Sequence, residues 1–411
     1  MNKVPIPTTT QLGSYYWQGI NHKGLKLKGT MLAICEAQVA EQLNERDISV
    51  RLIRQKPLPG YSRIKHKVRT KDLTNITRQW ATMLASGLPI TTSLKLIMQN
   101  QKRAELRSVL WMISHQLQAG LSVSSALKHS SRYFDALYID IVDMGEKTGN
   151  LAASLEHIAQ YREKTEQLTS RVQRAAIYPS LVVLTALAVS LLMLTKVIPE
   201  FEALFIGYGA ELPWFTQQVL SLSQAVQHHS LSIGTMSVLI PVAFVSIYRS
   251  SARFRYWLSR VTLHLPILGT LLLKSCMARF SRTLSTSLKS GLPILTSLET
   301  AARTTDNAYY QHIIRHLIQQ TSAGIALHST MRQSRDFPEL MVQMIMIGEE
   351  SGRLDDMLTR VANQYEADID ATVESLAKTL EPILILALGG LVGSLVIAMY
   401  LPIFNLMNIM G

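Results

Sequence analysis

Residues 78–94 read RQWATMLASGLPITTSL, and residues 282–298 read RTLSTSLKSGLPILTSL. Eleven of the seventeen positions are identical at a constant offset of 204. The offset holds as far as Ala119-Gly120 and Ala323-Gly324. One residue then drops out. At an offset of 203, Phe134 meets Phe337, GEKTGNL (145–151) meets GEESGRL (348–354), and Pro179 meets Pro382. The chain is therefore a duplicated unit, and each copy ends where a long apolar run begins.

Each copy reads as a bundle of helices. Leu73, Ile76, Trp80 and Leu84 recur at helical spacing in the first copy, and Met277, Phe280, Leu284 and Leu288 hold the same positions in the second. Both runs stop at Ser-Gly-Leu-Pro. Gly87 and Gly291 suit the left-handed residue just past a helix end, and Leu88 and Leu292 can fold back on the preceding turn. Pro89 and Pro293 cannot continue the helix and suit the first turn of the next. Further helices are expected near 91–101, 104–119, 122–130 and 134–147, and again near 295–304, 307–322, 325–334 and 338–350. Leu151 to Val197 holds no Gly and only Pro179, so it reads as one long helix, with Leu354 to Pro402 as its counterpart. Counting these, each copy has about six helices.

Three apolar runs are long enough to cross about 30 Å of hydrocarbon at about 1.5 Å per residue. They are residues 179–198, 231–248 and 382–404. Arg162, Lys164, Arg171 and Arg174 precede the first run, and Arg249, Arg253, Arg255 and Arg260 follow the second; residues 199–230 between them hold no Lys or Arg. By the positive-inside rule the amino half and residues 249–381 are cytoplasmic, and residues 199–230 and the carboxyl tail lie on the far side. The third run carries Gly389, Gly390, Gly393 and Ser394 as two overlapping small-xxx-small patterns. Such a face suits close packing within this chain or docking of another chain's span.

The amino end differs from the rest. Tyr15–Trp17 and Leu25–Thr30 read as short strands around Gly24, Ala33–Glu45 as a helix, and Ile48–Ile53 as a strand, a ββαβ pattern. The full organisation is a small α+β module at 1–56, a basic linker at 57–71, a bundle at 72–178, and a span at 179–198. An outer loop at 199–230, a span at 231–248, a bundle at 249–381, a span at 382–404 and a tail at 405–411 complete it. The fold class is mainly α: an integral membrane protein with two duplicated cytoplasmic bundles of six-helix type, three transmembrane helices and the ββαβ module.

Net charge is +12, and the first 70 residues carry twelve Lys or Arg against four Asp or Glu. A basic end fits nucleic acid, anionic lipid or an acidic protein. No aromatic residues interleave a basic stripe, which ranks nucleic acid lowest. Cys35 and Cys276, in separate regions, read as reduced thiols. No secretory signal is visible at the amino end.

Nothing in the sequence assembles a catalytic set: no phosphate-binding loop, no HExxH, no nucleophile elbow, no CxxC. His312 and His316 sit four apart, a metal-compatible spacing, but no third ligand is near; His228-His229 is no stronger. No cofactor or metal is expected. Gly145-Glu146 and Gly348-Glu349 remain, each ahead of a second glycine, Gly149 or Gly352. A carboxylate near a helix carboxyl end is disfavoured by the dipole. Lys147 or Arg353, the amino end of the next helix, a partner chain or a cation would have to compensate it.

Taken in order, the motifs resemble the inner-membrane platform proteins shared by type II secretion and type IV pilus machines. They are TRQWATMLASGLPI (77–90), GEKTGNL, Tyr178-Pro179, VIPEF (197–201, with Pro199) and HLPILG (264–269). SLKSGLPILTSLE (287–299), GEESGRL, LEPILIL (380–386) and MYLPIF (399–404, with Pro402) complete them. The likeness runs over nearly the whole chain, and Trp80 stands where an aliphatic residue is usual. It implies a non-enzymatic scaffold of the bacterial inner membrane, with the 199–230 loop and the tail periplasmic. Its implied partners are a hexameric assembly or secretion ATPase, pilins or pseudopilins, other inner-membrane assembly proteins, the lipid bilayer and further copies of itself. A transporter is the competing class. Only three runs are present and none holds a central carboxylate, so transport would need a pore built from several copies.

Overall fold

The computed structural model describes residues 12–57, 68–130, 133–200, 213–266 and 268–410. Most of the linker expected at 57–71 lies outside these residues. So do residues 201–212 of the expected outer loop, Ile267 of HLPILG and Gly411. The chain divides into two compact units. One comprises Met1–Gln167, Cys276–Asp306 and Tyr310–Asn363; the other comprises Leu168–Ser275, Asn307–Tyr309 and Gln364–Gly411.

The first unit opens with the small module. Strands β1 (Gly13–Asn21), β2 (Lys26–Ala33) and β3 (Ile48–Lys56) form an antiparallel sheet in the order β2-β1-β3, and helix α1 (Glu36–Asn44) precedes β3. Tyr15, Ala33, Val39, Leu43 and Ile48 form its core. A bulge at Gln18/Gly19 lets β3 cross closely, since a Cβ at Gly19 would stand 2.8 Å from the Ser49 carbonyl. Trp111 donates from Nε1 to Glu41 at 2.7 Å, and Ile34, Trp111 and Met112 pack together, tying the module to the first bundle.

Five helices follow in the first copy: α2 (Thr70–Ala85), α3 (Ile90–Gln99), α4 (Ala104–Gln118), α5 (Val123–Ser130) and α6 (Ala136–Lys147). The sixth, α7 (Leu151–Leu192), is long and continues through a π-helical turn at Met193–Val197 to Glu200. The second copy repeats the series: α11 (Leu268–Lys289), α12 (Ile294–Thr304), α13 (Ala308–Ser322), α14 (Leu327–Ser334), α15 (Glu339–Ser351) and α16 (Leu354–Met410). Of the four positions that define the α2 stripe, Leu73, Ile76 and Trp80 are buried and Leu84 is half-buried; Met277, Phe280, Leu284 and Leu288 match them one for one. Asp135 caps α6 by accepting from the Tyr138 amide at 2.8 Å.

The second unit holds the apolar helices. Among the described residues, two helices are long and apolar enough to cross a membrane, within Leu151–Glu200 and Leu354–Leu401. A third span is met only if Gly234–Ser250, within α9 (Ser230–Ser250), is joined to α10 (Ala252–Leu263), and those two are bent by 109°. The expected second run, 231–248, lies within α9, and Pro241 stands inside it.

The expected loop at 199–230 contains a helix, α8 (Trp214–His228). Its stretch lacks the charge that marks a solvated helix and the long apolar run that marks a span, so neither pattern signals it. Leu220 of α8 packs on Leu194, Ile198 and Leu395. Thr216 donates to the Ala398 carbonyl at 2.8 Å. The π-helical turn displaces carbonyls from the regular ladder, and Ser223 of α8 donates to the Leu194 oxygen.

Candidate functional site

The repeated motifs are small structural devices, and their parts can be separated. At the Ser-Gly-Leu-Pro corners, Gly87 and Gly291 adopt φ of +83° and +82°, the left-handed region that glycine enters freely. The amides of Leu88 and Leu292 then reach back to the Met83 and Ser287 carbonyls, each at 3.1 Å. Pro89 and Pro293 sit one position earlier than the expected first turn. Their extended ψ of 146° and 149° makes them the residues before α3 and α12, and their carbonyls accept the first helical bonds from Ser93 and Ser297 at 2.9 Å.

The Gly-Glu motifs divide labour between their residues. A Cβ at Gly145 would collide with the Ser154 side chain, and one at Gly348 would stand 2.8 Å from Leu354 Cα. These glycines therefore let α7 and α16 pack tightly on α6 and α15. The glutamates cap the preceding short helix rather than the next one. Glu146 accepts from the amides of Val123 (2.7 Å) and Ser124 (3.1 Å), the start of α5. Glu349 accepts from the amides of Leu327 (2.8 Å) and His328 (3.0 Å), the start of α14. Each carboxylate thus meets the positive end of a helix, which offsets its poor position at the end of its own. Gly149 and Gly352, at φ +72° and +70°, turn the chain into the next helix.

The two bundles meet in the first unit. Helix α12 packs on α6, and Thr300 donates to Asp140 at 3.1 Å. Leu292 enters the core cluster of the first bundle, beside which Gly291 faces Met144. Tyr161 shares a hydrogen bond with Thr283 at 3.3 Å, and His157 Nδ1 lies 3.1 Å from Ser290 Oγ. The second corner is therefore brought to the Gly-Glu region of the first copy. At the first corner nothing among the described residues lies within 4 Å of a Cβ placed at Gly87, and Leu88 is exposed.

A cavity of about 230 Å³ opens along this seam, lined by His157, Tyr161, Lys164, Arg282, Lys289 and Thr359 among others. Burial, and then Lys289, hold the His157 imidazole below its ordinary range. Nearby, Arg78 forks onto both oxygens of Glu163 at 2.7 Å and also reaches Glu156. No local sequence pattern marks this clamp, although Arg78 and its twin Arg282 open the repeated stretch.

No nucleophile and base pair with an oxyanion site is assembled here. Among the described residues no group of three His, Cys, Asp or Glu could hold a metal ion. Burial pushes the Cys276 thiol up to about 11, which suits an inert, reduced cysteine, and Cys35 is also free. His228 and His229 only stack edge to face, with His229 also bound to the Ala225 carbonyl.

The remaining candidates lie along the apolar helices. Pro179 and Pro382 are inside α7 and α16, Pro199 follows the π-helical turn, and the Pro402 backbone continues α16. A Cβ at Gly389, Gly390 or Gly393 would meet nothing within 4 Å. Close packing within the chain does not occupy that face among the described residues. Ser394 donates to the Leu391 carbonyl of its own helix at 2.8 Å.

The family model for type II secretion system protein F matches this sequence twice, over residues 76–199 and 280–402. The two matches coincide with the two copies. The type IV pilus assembly protein PilC of Pseudomonas aeruginosa is 39% identical over 84% of this chain and 92% of its own length. The type IV pilus assembly protein TapC of Aeromonas hydrophila is 37% identical over 97% of this chain and 96% of its own. Type II secretion system protein F of Vibrio cholerae is 29% identical over 97% and 100%.

Proposed function

Because the chain belongs to the type II secretion system protein F family, we propose that it is the inner-membrane platform of a filament-building machine. The higher identity to pilus assembly proteins than to the secretion protein favours a type IV pilus over a secretion pseudopilus. The chain acts as a scaffold, with no chemistry of its own and no cofactor. The amino-terminal module and both bundles face the cytoplasm, and α8 and the carboxyl tail face the periplasm. The third span is supplied by α9. After the bend, α10 lies along the inner surface, with Arg253, Arg255 and Arg260 toward headgroups and exposed Trp257 at the interface.

The reading is carried by one observation: one compact unit contains both bundles, and the last helix of each copy is long and carries exposed apolar side chains. Leu184, Leu187, Ile385 and Leu386 are each more than half exposed, a surface that only lipid or another apolar helix satisfies. A hexameric assembly ATPase would press on the bundles. Their shared seam would pass the displacement to α7 and α16, and these would move pilin helices laterally into the filament. Other inner-membrane assembly proteins and further copies of the chain complete the platform; nucleic acid has no part.

The open glycine face of α16 is the place for a pilin helix. A photo-crosslinking residue at Gly390 or Gly393 is expected to capture a pilin or pseudopilin subunit in the assembling membrane. Capture of lipid alone would overturn that placement.

A further inference from the structure

The two copies are joined through unlike surfaces. The first supplies a face of α6 on which Asp140 and Met144 stand one turn apart, Asp140 bonded to Thr300 and Met144 facing Gly291. The second supplies the Leu292 corner and Thr300. Duplication means that each of these surfaces has a twin elsewhere on the chain.

Those twins are uncovered. At the offset of 204, Leu292, Thr296 and Thr300 correspond to Leu88, Thr92 and Leu96. Leu292 is 7% exposed and Leu88 37%; Thr300 is 1% exposed and Leu96 40%. At the offset of 203, Leu137, Asp140 and Met144 correspond to Leu340, Gln343 and Ile347. Leu137 is 1% exposed, whereas Leu340 is 40%, Ile347 is 45% and Gln343 is also exposed. Leu88, Leu96 and Ile347 therefore face solvent at the positions that the internal seam uses, and Leu340 is exposed on the same helix as Ile347.

The geometry points to a second copy of this chain as the occupant: the Leu88–Leu96 face of one copy docks on the Leu340–Ile347 face of α15 in another. This deepens the platform reading and rests on its self-association. The new contact repeats an interface already present inside the chain, with the twin helices in the same roles. The polar pair at its centre changes on both sides together. Inside the chain, Asp140 and Thr300 are hydrogen-bonded; between copies, Gln343 and Leu96 take their places, and the Gln343 amide keeps its partner Glu339 on its own helix at 3.2 Å. Thr92 and Leu96 also line a groove of about 440 Å³ beside the amino-terminal module, which gives the incoming helix a concave seat. Because the two faces are unlike, the contact is head-to-tail, and each copy keeps a free face until the assembly closes into a ring.

Two differently tagged full-length copies test the contact in the host membrane. Both carry Cys35→Ser and Cys276→Ala; one adds Leu88→Cys and the other Ile347→Cys. Mild oxidation is expected to give a disulfide-linked dimer bearing both tags, several-fold above the 88–88 and 347–347 pairs. Adding Leu96→Arg to the first copy is expected to abolish that product while its thermal stability is unchanged. A product dominated by like pairs, or none although the tags co-purify, overturns the surface and leaves the platform reading standing. Tags that fail to co-purify overturn the surface and the self-association together. Filament assembly that persists in a host lacking this chain overturns the platform reading, whatever the crosslink shows.

Discussion

The two bundles carry the same corner and meet different fates at it. In both, a left-handed glycine reverses the chain and the following leucine amide closes the helix end at 3.1 Å. Yet Leu292 is buried in the neighbouring bundle's core, and Leu88 faces outward. The local device is fixed by sequence within each copy. Its burial is fixed by what stands next to it, and one chain can supply a neighbour to only one of its two corners. Among the described residues, duplication thus gives one used seam, with the twins of its two faces exposed.

The largest test of this contrast is truncation of the two leucines. Leu292→Ala should cost about 2–5 kcal/mol, because a buried side chain is lost and a cavity remains. Leu88→Ala should stay within about 0.5 kcal/mol for the single chain, as an exposed position does. Thermal or denaturant unfolding of the detergent-solubilised protein reads both. Equal losses would mean that the corners are not distinguished by the seam.

A smaller effect tests what the copies share. Glu146→Ala and Glu349→Ala each remove a carboxylate that accepts from two amides at a helix start. Losing such a cap costs about 1–2 kcal/mol. The two variants should therefore be destabilised alike in the same unfolding measurement, with the glutamine variants milder because one acceptor oxygen remains. A defect in filament assembly with no loss of stability would instead assign the glutamates to a partner contact.

The sequence disclosed the repeat, the corners and the helices of each bundle because they depend on local rules: helical spacing, a left-handed glycine, a proline after it. The ββαβ module was legible for the same reason. Glu146 and Glu349 were readable as carboxylates in need of compensation, but the partner turned out to be the helix before. That pairing spans about twenty residues of chain, across which no local pattern runs. Helix α8 was hidden because its Leu220 is buried only by packing on Leu194, Ile198 and Leu395, which lie far away in sequence. The same holds for His157 and Asp140. Each is an ordinary helical residue until the other copy packs against it.

His157 gives the smallest effect and the most direct reading of the seam. Burial is the main cause that holds its imidazole below the ordinary value of 6.5; Lys289 adds to it, and Glu156 opposes. As pH falls, the unfolded chain takes up its proton first, so stability present above that value is lost toward the lower folded one. On the same side of the seam, Asp140 has the opposite sign. Burial raises its carboxyl above 3.8, against the Thr300 hydrogen bond, so its contribution is present at low pH and lost as pH rises through the raised value. Comparing about pH 7.5 with about pH 5 brackets the ordinary imidazole value, and Asp140 is common to the two proteins compared, so the difference between them reads the histidine. The wild-type protein should therefore lose more stability over this window than His157→Gln, measured by unfolding at both ends. Identical losses would show that the imidazole is not held at the junction of the two copies.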